Sequence, residues 1–318
     1  MRRNILIFHL GALGDFIMTW PLALALARLH PQSRVFYVTH GQKGALAERV
    51  LRVESMDVET GGWQALFADG PDLPAPAARA LAGAHTVLNF LGDPGERWAA
   101  NVKTLNPEAQ VLSISTNAPT DFAGHQTQHL ADQLAPWPAA HAAAQQILHS
   151  IAQRGLVTPP ARAGGPIIIH PGGGSPLKCW PAPSYLDLIA RLRAEGRAVR
   201  VLLGEVELER WPVELIAKFR AIAEVQTPGN LVDMLAALSG ASAFVGNDSG
   251  PGHLAGILGV PTLSLFGPAS QPDRWKPLGP KARVLRADSL ESLTASDVAC
   301  STVAAASHLP PPGPAGKG

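Results

Sequence analysis

Cysteine is scarce in this chain: Cys179 and Cys300 are the only two in 318 residues. That excludes a disulfide framework, and their separation excludes the clustered spacing of a zinc site. Such usage suits a reducing cytoplasm. An excess of one charge is also lacking, with 26 Lys and Arg against 25 Asp and Glu. The first 155 residues hold 11 basic and 12 acidic side chains and the remainder 15 and 13, so neither half has the basic excess of a nucleic-acid-binding domain. Long apolar runs are missing as well. No stretch approaches the roughly 18 uninterrupted apolar residues of a membrane helix, and His9, Gly11 and Asp15 break the apolar start too early for a signal peptide. Any membrane contact is therefore expected to be peripheral. No P-loop spacing occurs in the glycine-rich segments, and no GxGxxG follows an opening strand, which disfavours a dinucleotide oxidoreductase.

What the chain does have is apolar material, 46% of residues against 16% charged, and length enough for two domains of about 150 residues each. Ile5 to Leu10 is a short apolar run ending at Gly11, the pattern of a buried parallel strand. A helix over Asp15 to Leu29 and a strand over Arg34 to Thr39 complete a βαβ unit. Runs at 86–90 and 110–114 extend the same sheet. Between Gly155 and Pro166 proline and glycine accumulate, marking a linker. A second alternating series follows. Strands are expected at Ile167 to His170, Ala198 to Leu203, Ala243 to Val245 and Thr262 to Phe266, with helices at Ser184 to Glu195, Leu231 to Ser239 and Gly252 to Leu258. The expected architecture is α/β, with two doubly wound domains at 1–155 and 156–306. The tail 307–318, with four prolines and three glycines, is expected to be disordered.

Ligands of open α/β sheets bind beyond the carboxyl ends of the strands, which directs attention to three loops. In Gly11-Ala12-Leu13-Gly14-Asp15 the two glycines allow close backbone approach, and Asp15 is either a carboxylate poised at a substrate hydroxyl or an ordinary helix N-terminal acid. In His170-Pro171-Gly172-Gly173-Gly174-Ser175-Pro176-Leu177-Lys178 three glycines expose N–H groups and Lys178 adds a point charge, a combination suited to a diphosphate or else an unremarkable surface loop. Asp248, Ser249, Gly250 and His253 lie around a helix start, where they either meet phosphate oxygens or simply cap the helix.

Together these three loops resemble the ADP-heptose:lipopolysaccharide heptosyltransferases, glycosyltransferase family 9, over nearly the whole chain from Ile5 to about Pro280. The resemblance implies a GT-B fold, two Rossmann-like domains facing a cleft, and an inverting transfer of heptose from ADP-heptose to a lipopolysaccharide core or related glycan. It implies Asp15 as general base, with Gly11, Ala12, Leu13 and Gly14 forming the acceptor-side loop. It further implies Lys178 as counter-charge to the leaving diphosphate, and donor binding by Gly172, Gly173, Gly174, Ser175, Asp248, Ser249, Gly250 and His253. Glu205 or Glu207 would meet the nucleoside ribose. No metal and no cofactor beyond the donor substrate are implied, and the expected location is cytoplasmic or peripheral to the inner membrane. The chain departs from the family where members often carry Arg in place of His9, a hydroxyl residue in place of Gly11 and Arg in place of Cys179. Two other readings fit the same architecture: an NDP-sugar 2-epimerase, which needs no acceptor, and a non-catalytic nucleotide-sugar-binding protein.

Overall fold

A computed structural model of the chain describes residues 3–91, 95–156 and 164–306. Its contacts divide it into two compact units, Met1–His149 and Ser150–Gly318. In the first unit, β1 (Asn4–Phe8) is wholly buried and β2 (Arg34–Thr39) is buried beyond Arg34, as parallel strands covered on both faces must be. With β3 (Glu54–Asp57), β4 (Ala84–Asn89) and β5 (Gln110–Ser113) they form a parallel sheet in the order β3-β2-β1-β4-β5. The second unit contains β6 (Ile167–His170), β7 (Val199–Leu202), β8 (Glu224–Gln226), β9 (Ala243–Asn247), β10 (Thr262–Phe266) and β11 (Ala282–Arg286). Its order is β8-β7-β6-β9-β10-β11, again all parallel. Each unit thus winds outward from its first strand, returns, and winds the other way, which is the Rossmann order. The reversals fall between β1 and β4 and between β6 and β9.

Each sheet is covered by helices. In the first unit the core sets Leu6, Phe8 and Val38 against Trp63, Trp98 and Val102. Phe8 meets both tryptophans edge to face, at centroid distances of 5.1 Å. In the second, Ile167, Ile169 and Val245 pack against Tyr185, Leu188 and Phe219.

Several sequence expectations need correction. The helix expected over Asp15 to Leu29 is two helices, Leu13–Met18 and Trp20–Leu29. Pro21 has no N–H to offer the Ile17 carbonyl, and Thr19 Oγ1 instead donates to the Phe16 carbonyl at 2.7 Å. β1 ends at Phe8 rather than Leu10, which is exposed. β3, β8 and β11 went unread because these edge strands carry polar and charged residues where central strands carry apolar runs. The boundary between units lies inside the helix Pro138–Arg154, ahead of the Pro- and Gly-rich stretch. The end of that helix belongs to the second unit because the Leu156 N–H donates to the Ile257 carbonyl at 2.7 Å, beside the Gly155–Gly259 contact. Most of the expected linker, residues 157–163, and the tail 307–318 lie outside the described residues.

Phe8→Ala removes a buried aromatic clamped between two tryptophans and should lower stability by about 3–5 kcal/mol. Denaturant unfolding followed by tryptophan fluorescence measures it, and a loss under about 1 kcal/mol would show that this cluster does not hold the first sheet to its helices.

Candidate functional site

The reversal point of the second unit lies between His170, at the end of β6, and Asn247, at the end of β9. His170 is buried there, its Nδ1–H donating to the Leu202 carbonyl at 3.0 Å. The Asn247 side chain is fully buried and uses every polar atom it has. Its Oδ1 accepts from the Trp180 N–H at 2.9 Å and the Tyr185 hydroxyl at 2.8 Å. Its Nδ2 donates to the carbonyls of Pro171 at 3.0 Å and Gly172 at 2.8 Å. Both ends of the glycine-rich loop are therefore tied to one side chain. The far end is anchored again where the buried Trp180 ring donates to the Leu293 carbonyl at 3.2 Å.

Between these ends the loop arches through Gly173, Gly174 and Ser175 into a 3-10 turn, Pro176–Lys178. Lys178 Nζ donates to Asp248 Oδ2 at 2.9 Å, and Ser270 Oγ donates to the same oxygen at 2.6 Å. His253 Nε2 stands 3.8 Å from the other carboxylate oxygen, too far for a hydrogen bond. Burial works against the Asp248 charge, but the neighbouring His253, Lys178 and Ser270 outweigh it and bring the carboxyl down to about 2. Ser249 is the N-cap of the helix Gly250–Ile257 yet makes no side-chain cap, and its buried Oγ finds no partner among the described residues. An unused hydroxyl thus sits beside the uncapped, positive end of a helix, an arrangement that favours an anion.

The structure separates the two glutamates. Glu207 is buried, accepts from the Gly204 N–H at 2.8 Å, and lies so close to Gly172 that a Cβ there would collide with its carboxylate. Glu205 is exposed at the start of the same helix, Glu205–Arg210. Burial, and then the charge of Glu207, pushes the Cys179 thiol up to about 11, away from the thiolate form.

The reversal point of the first unit lies where β1 gives way to Gly11, Ala12, Leu13 and Gly14. Asp15 stands in the first turn of the helix Leu13–Met18, anchored by the buried Phe16, Ile17 and Met18. His9 is buried between Phe16 and Phe90, at ring-centroid distances of 5.4 and 6.1 Å. Desolvation, aided by the charge of Lys43, holds its imidazole down to about 3, so it is neutral at any ordinary pH. Glycine at Gly11 relieves crowding beside it, since a Cβ there would stand 3.1 Å from the His9 ring. Lys43 reaches this loop from the helix Gly41–Leu51, donating to the Gly11 carbonyl at 2.6 Å. Sequence reading singled out neither Lys43, Ser270 nor Asn247 as site residues. Of these only Asn247 left a trace, a polar residue ending an apolar strand directly before Asp248.

Two Rossmann-ordered parallel units with donor-rich loops at the reversals define a protein of the GT-B fold class. A family model described as glycosyltransferase family 9 (heptosyltransferase) matches residues 111–302, and the chain belongs to that family. Among curated relatives, lipopolysaccharide heptosyltransferase 1 of Pseudomonas aeruginosa is 40% identical over 93 residues, 29% of this chain and 26% of the relative. Lipopolysaccharide heptosyltransferase 2 of Escherichia coli is 36% identical over 119 residues, 35% and 33% of the two chains. These matches span about a third or less of the relatives' length. Among solved structures, a family 9 glycosyl transferase from Veillonella parvula superposes with a TM-score of 0.69 at 19% identity, over 97% of this chain and 98% of that one. An E. coli heptosyltransferase solved with ADP gives 0.66 at 20% identity, over 93% and 97%. Among the described residues no helix is long and apolar enough to cross a membrane, and no three His, Cys, Asp or Glu side chains are grouped to hold a metal.

Asn247→Ala strands the two donors and two carbonyls it serves and should cost about 3–5 kcal/mol of stability, read from denaturant unfolding. A loss under about 1 kcal/mol would mean that the loop holds its shape without Asn247. Asp248 supplies a pH signature. A carboxyl lowered in the folded state contributes stability that is complete above its unfolded value of about 3.9 and lost as pH falls toward 2. The contribution is about 2 kcal/mol, so Asp248→Asn should flatten the acid limb of a stability-against-pH curve, and an unchanged limb would contradict the pairing.

Proposed function

We propose that this protein is an inverting glycosyltransferase that moves heptose from ADP-heptose to a lipopolysaccharide core or related glycan. The observation that carries the reading is the arrangement at the β6/β9 reversal. There Lys178 is paired with Asp248, and the next residue, Ser249, keeps an unused hydroxyl at the uncapped start of the helix Gly250–Ile257. A diphosphate placed there meets a cation, a free hydroxyl and helix N–H groups, the donors a leaving group needs as it gains charge. The names of the curated relatives support heptose and lipopolysaccharide, and the solved E. coli relative with ADP supports an adenine nucleotide. Glu205, exposed at the carboxyl end of β7, is the better candidate for the ribose, since Glu207 is occupied by the Gly204 N–H.

In the proposed reaction Asp15 takes the proton of an acceptor hydroxyl as its oxygen bonds to the anomeric carbon from the side opposite the diphosphate. The bond from that carbon to the diphosphate oxygen breaks, and ADP leaves with the electron pair. Lys178 and the helix start stabilise the departing charge without a metal or a further cofactor. A cytoplasmic location, peripheral to the inner membrane where a glycolipid acceptor would be presented, completes the proposal.

Asp15→Asn should lower transfer from ADP-heptose to a heptose-deficient lipopolysaccharide preparation about 10²–10⁴-fold, with ADP affinity within a few-fold of wild type. Full turnover with a lowered Tm would reduce Asp15 to a helix N-terminal acid. Lys178→Met should cost about 2–4 kcal/mol of transition-state stabilisation, read from kcat/KM, and unchanged kinetics would remove it from the mechanism.

A further inference from the structure

Lys43 breaks a local rule. It is the third residue of the helix Gly41–Leu51, where a cation opposes the helix dipole, and the N-cap His40 supplies no side-chain bond in compensation. Its ammonium does not turn to solvent. It is drawn across to the neighbouring strand's loop, 2.6 Å from the Gly11 carbonyl and 3.4 Å from that of Leu10. Partial burial lowers its basicity, and the negative charge of Asp15 opposes that effect, so ammonium and carboxylate feel one another. Among the described residues of the first unit, the segments leaving the strand ends, with the first turn of each following helix, hold one other Lys or Arg. This is Arg97, which is paired with Asp69 at 3.1 Å.

The surroundings are built to accept this cation. His9 lies beneath the same loop as a neutral ring with neither nitrogen partnered among the described residues, and the charge on Lys43 is one reason it stays neutral. A protonated side chain at His9 would repel Lys43, and a side chain at Gly11 would press on the His9 ring. Neutral His9, bare Gly11 and the inward Lys43 thus form one set. A cation placed against its own helix dipole, resting on the carbonyls of a loop that ends in a carboxylate, stabilises the loop at the expense of the helix.

We propose that Lys43 is a positioning residue for glycosyl transfer, fixing the Gly11 carbonyl and so holding Asp15 in place toward the acceptor hydroxyl. This inference rests on the reading of Asp15 as the base. Misplacing a reacting group by about 1 Å costs on the order of 10²-fold in rate, so Lys43→Met should lower kcat about 10–100-fold, with ADP affinity and donor KM within about twofold. Lys43→Arg, which can span both carbonyls, should recover most of the loss. Removing a cation from a helix N-terminus should leave Tm unchanged or slightly raised, whereas a merely structural lysine would lower it. The measurement is steady-state transfer from ADP-heptose to the heptose-deficient lipopolysaccharide preparation, with Tm on the same samples. If Lys43→Met keeps kcat within about threefold while Asp15→Asn is inactive, Lys43 has no positioning role and the reading of Asp15 stands. A loss that Arg does not recover, accompanied by a lowered Tm, also overturns the proposal. If Asp15→Asn retains full transfer, the reading beneath it fails as well.

Discussion

The glycine-rich loop of the second unit depends on one buried amide. Asn247 ends β9 and closes four hydrogen bonds, two to the start of the segment that leaves β6, one to its far end at Trp180 and one to Tyr185 in the following helix Ala182–Ala194. An asparagine suits this place because it offers two donors and two acceptors from one planar group, and its surroundings present two carbonyls, an N–H and a hydroxyl to match. With its ends fixed, the arch from Gly173 to Cys179 has little freedom, and Lys178 reaches Asp248 without a search through conformations. The cost of leaving any of these buried groups unpaired makes the arrangement close to all-or-none.

The opposite strategy operates in the first unit. The loop after β1 is shaped by the His9 ring packed against it and by the Lys43 ammonium on its carbonyls. The neutral His9 ring, packed against Phe16 and Phe90, crowds any side chain at Gly11, and Lys43 donates to the Gly11 carbonyl. Two of the departures from the family's usual residues thus stand against one another, since a side chain at Gly11 would press on the His9 ring. The third, Cys179, fills space against Gly173 and donates to the Ser175 carbonyl at 3.3 Å, so it serves the arch rather than the chemistry.

Central strands were legible in the sequence because burial on both faces writes them as apolar runs, as in Ile5 to Phe8 and Ile167 to Ile169. Three of the four edge strands, Glu54–Asp57 among them, were not, because their partners and their solvent face impose no such pattern. Loops after central strands were legible for the same reason that strands were: Asp15, Lys178 and Asp248 follow directly from runs whose ends could be seen. Lys43 and Ser270 were hidden because their significance comes from contacts across 32 and 22 residues, which no local pattern records. The different settings of Glu205 and Glu207 were hidden likewise, since both stand in the first turn of one helix and only the folded chain buries Glu207 against Gly172 and the Gly204 N–H.

The central claim is that a sugar passes from a nucleotide to an acceptor, and that neither binding alone nor rearrangement of the donor accounts for the site. Incubating the full chain with ADP-heptose, with and without a heptose-deficient lipopolysaccharide acceptor, and analysing products by mass spectrometry and NMR tests it most directly. The account predicts one heptosyl unit gained per ADP released, an anomeric configuration opposite to that of the donor, and negligible donor consumption without acceptor. Donor consumed or isomerised at the same rate in the absence of acceptor would contradict it.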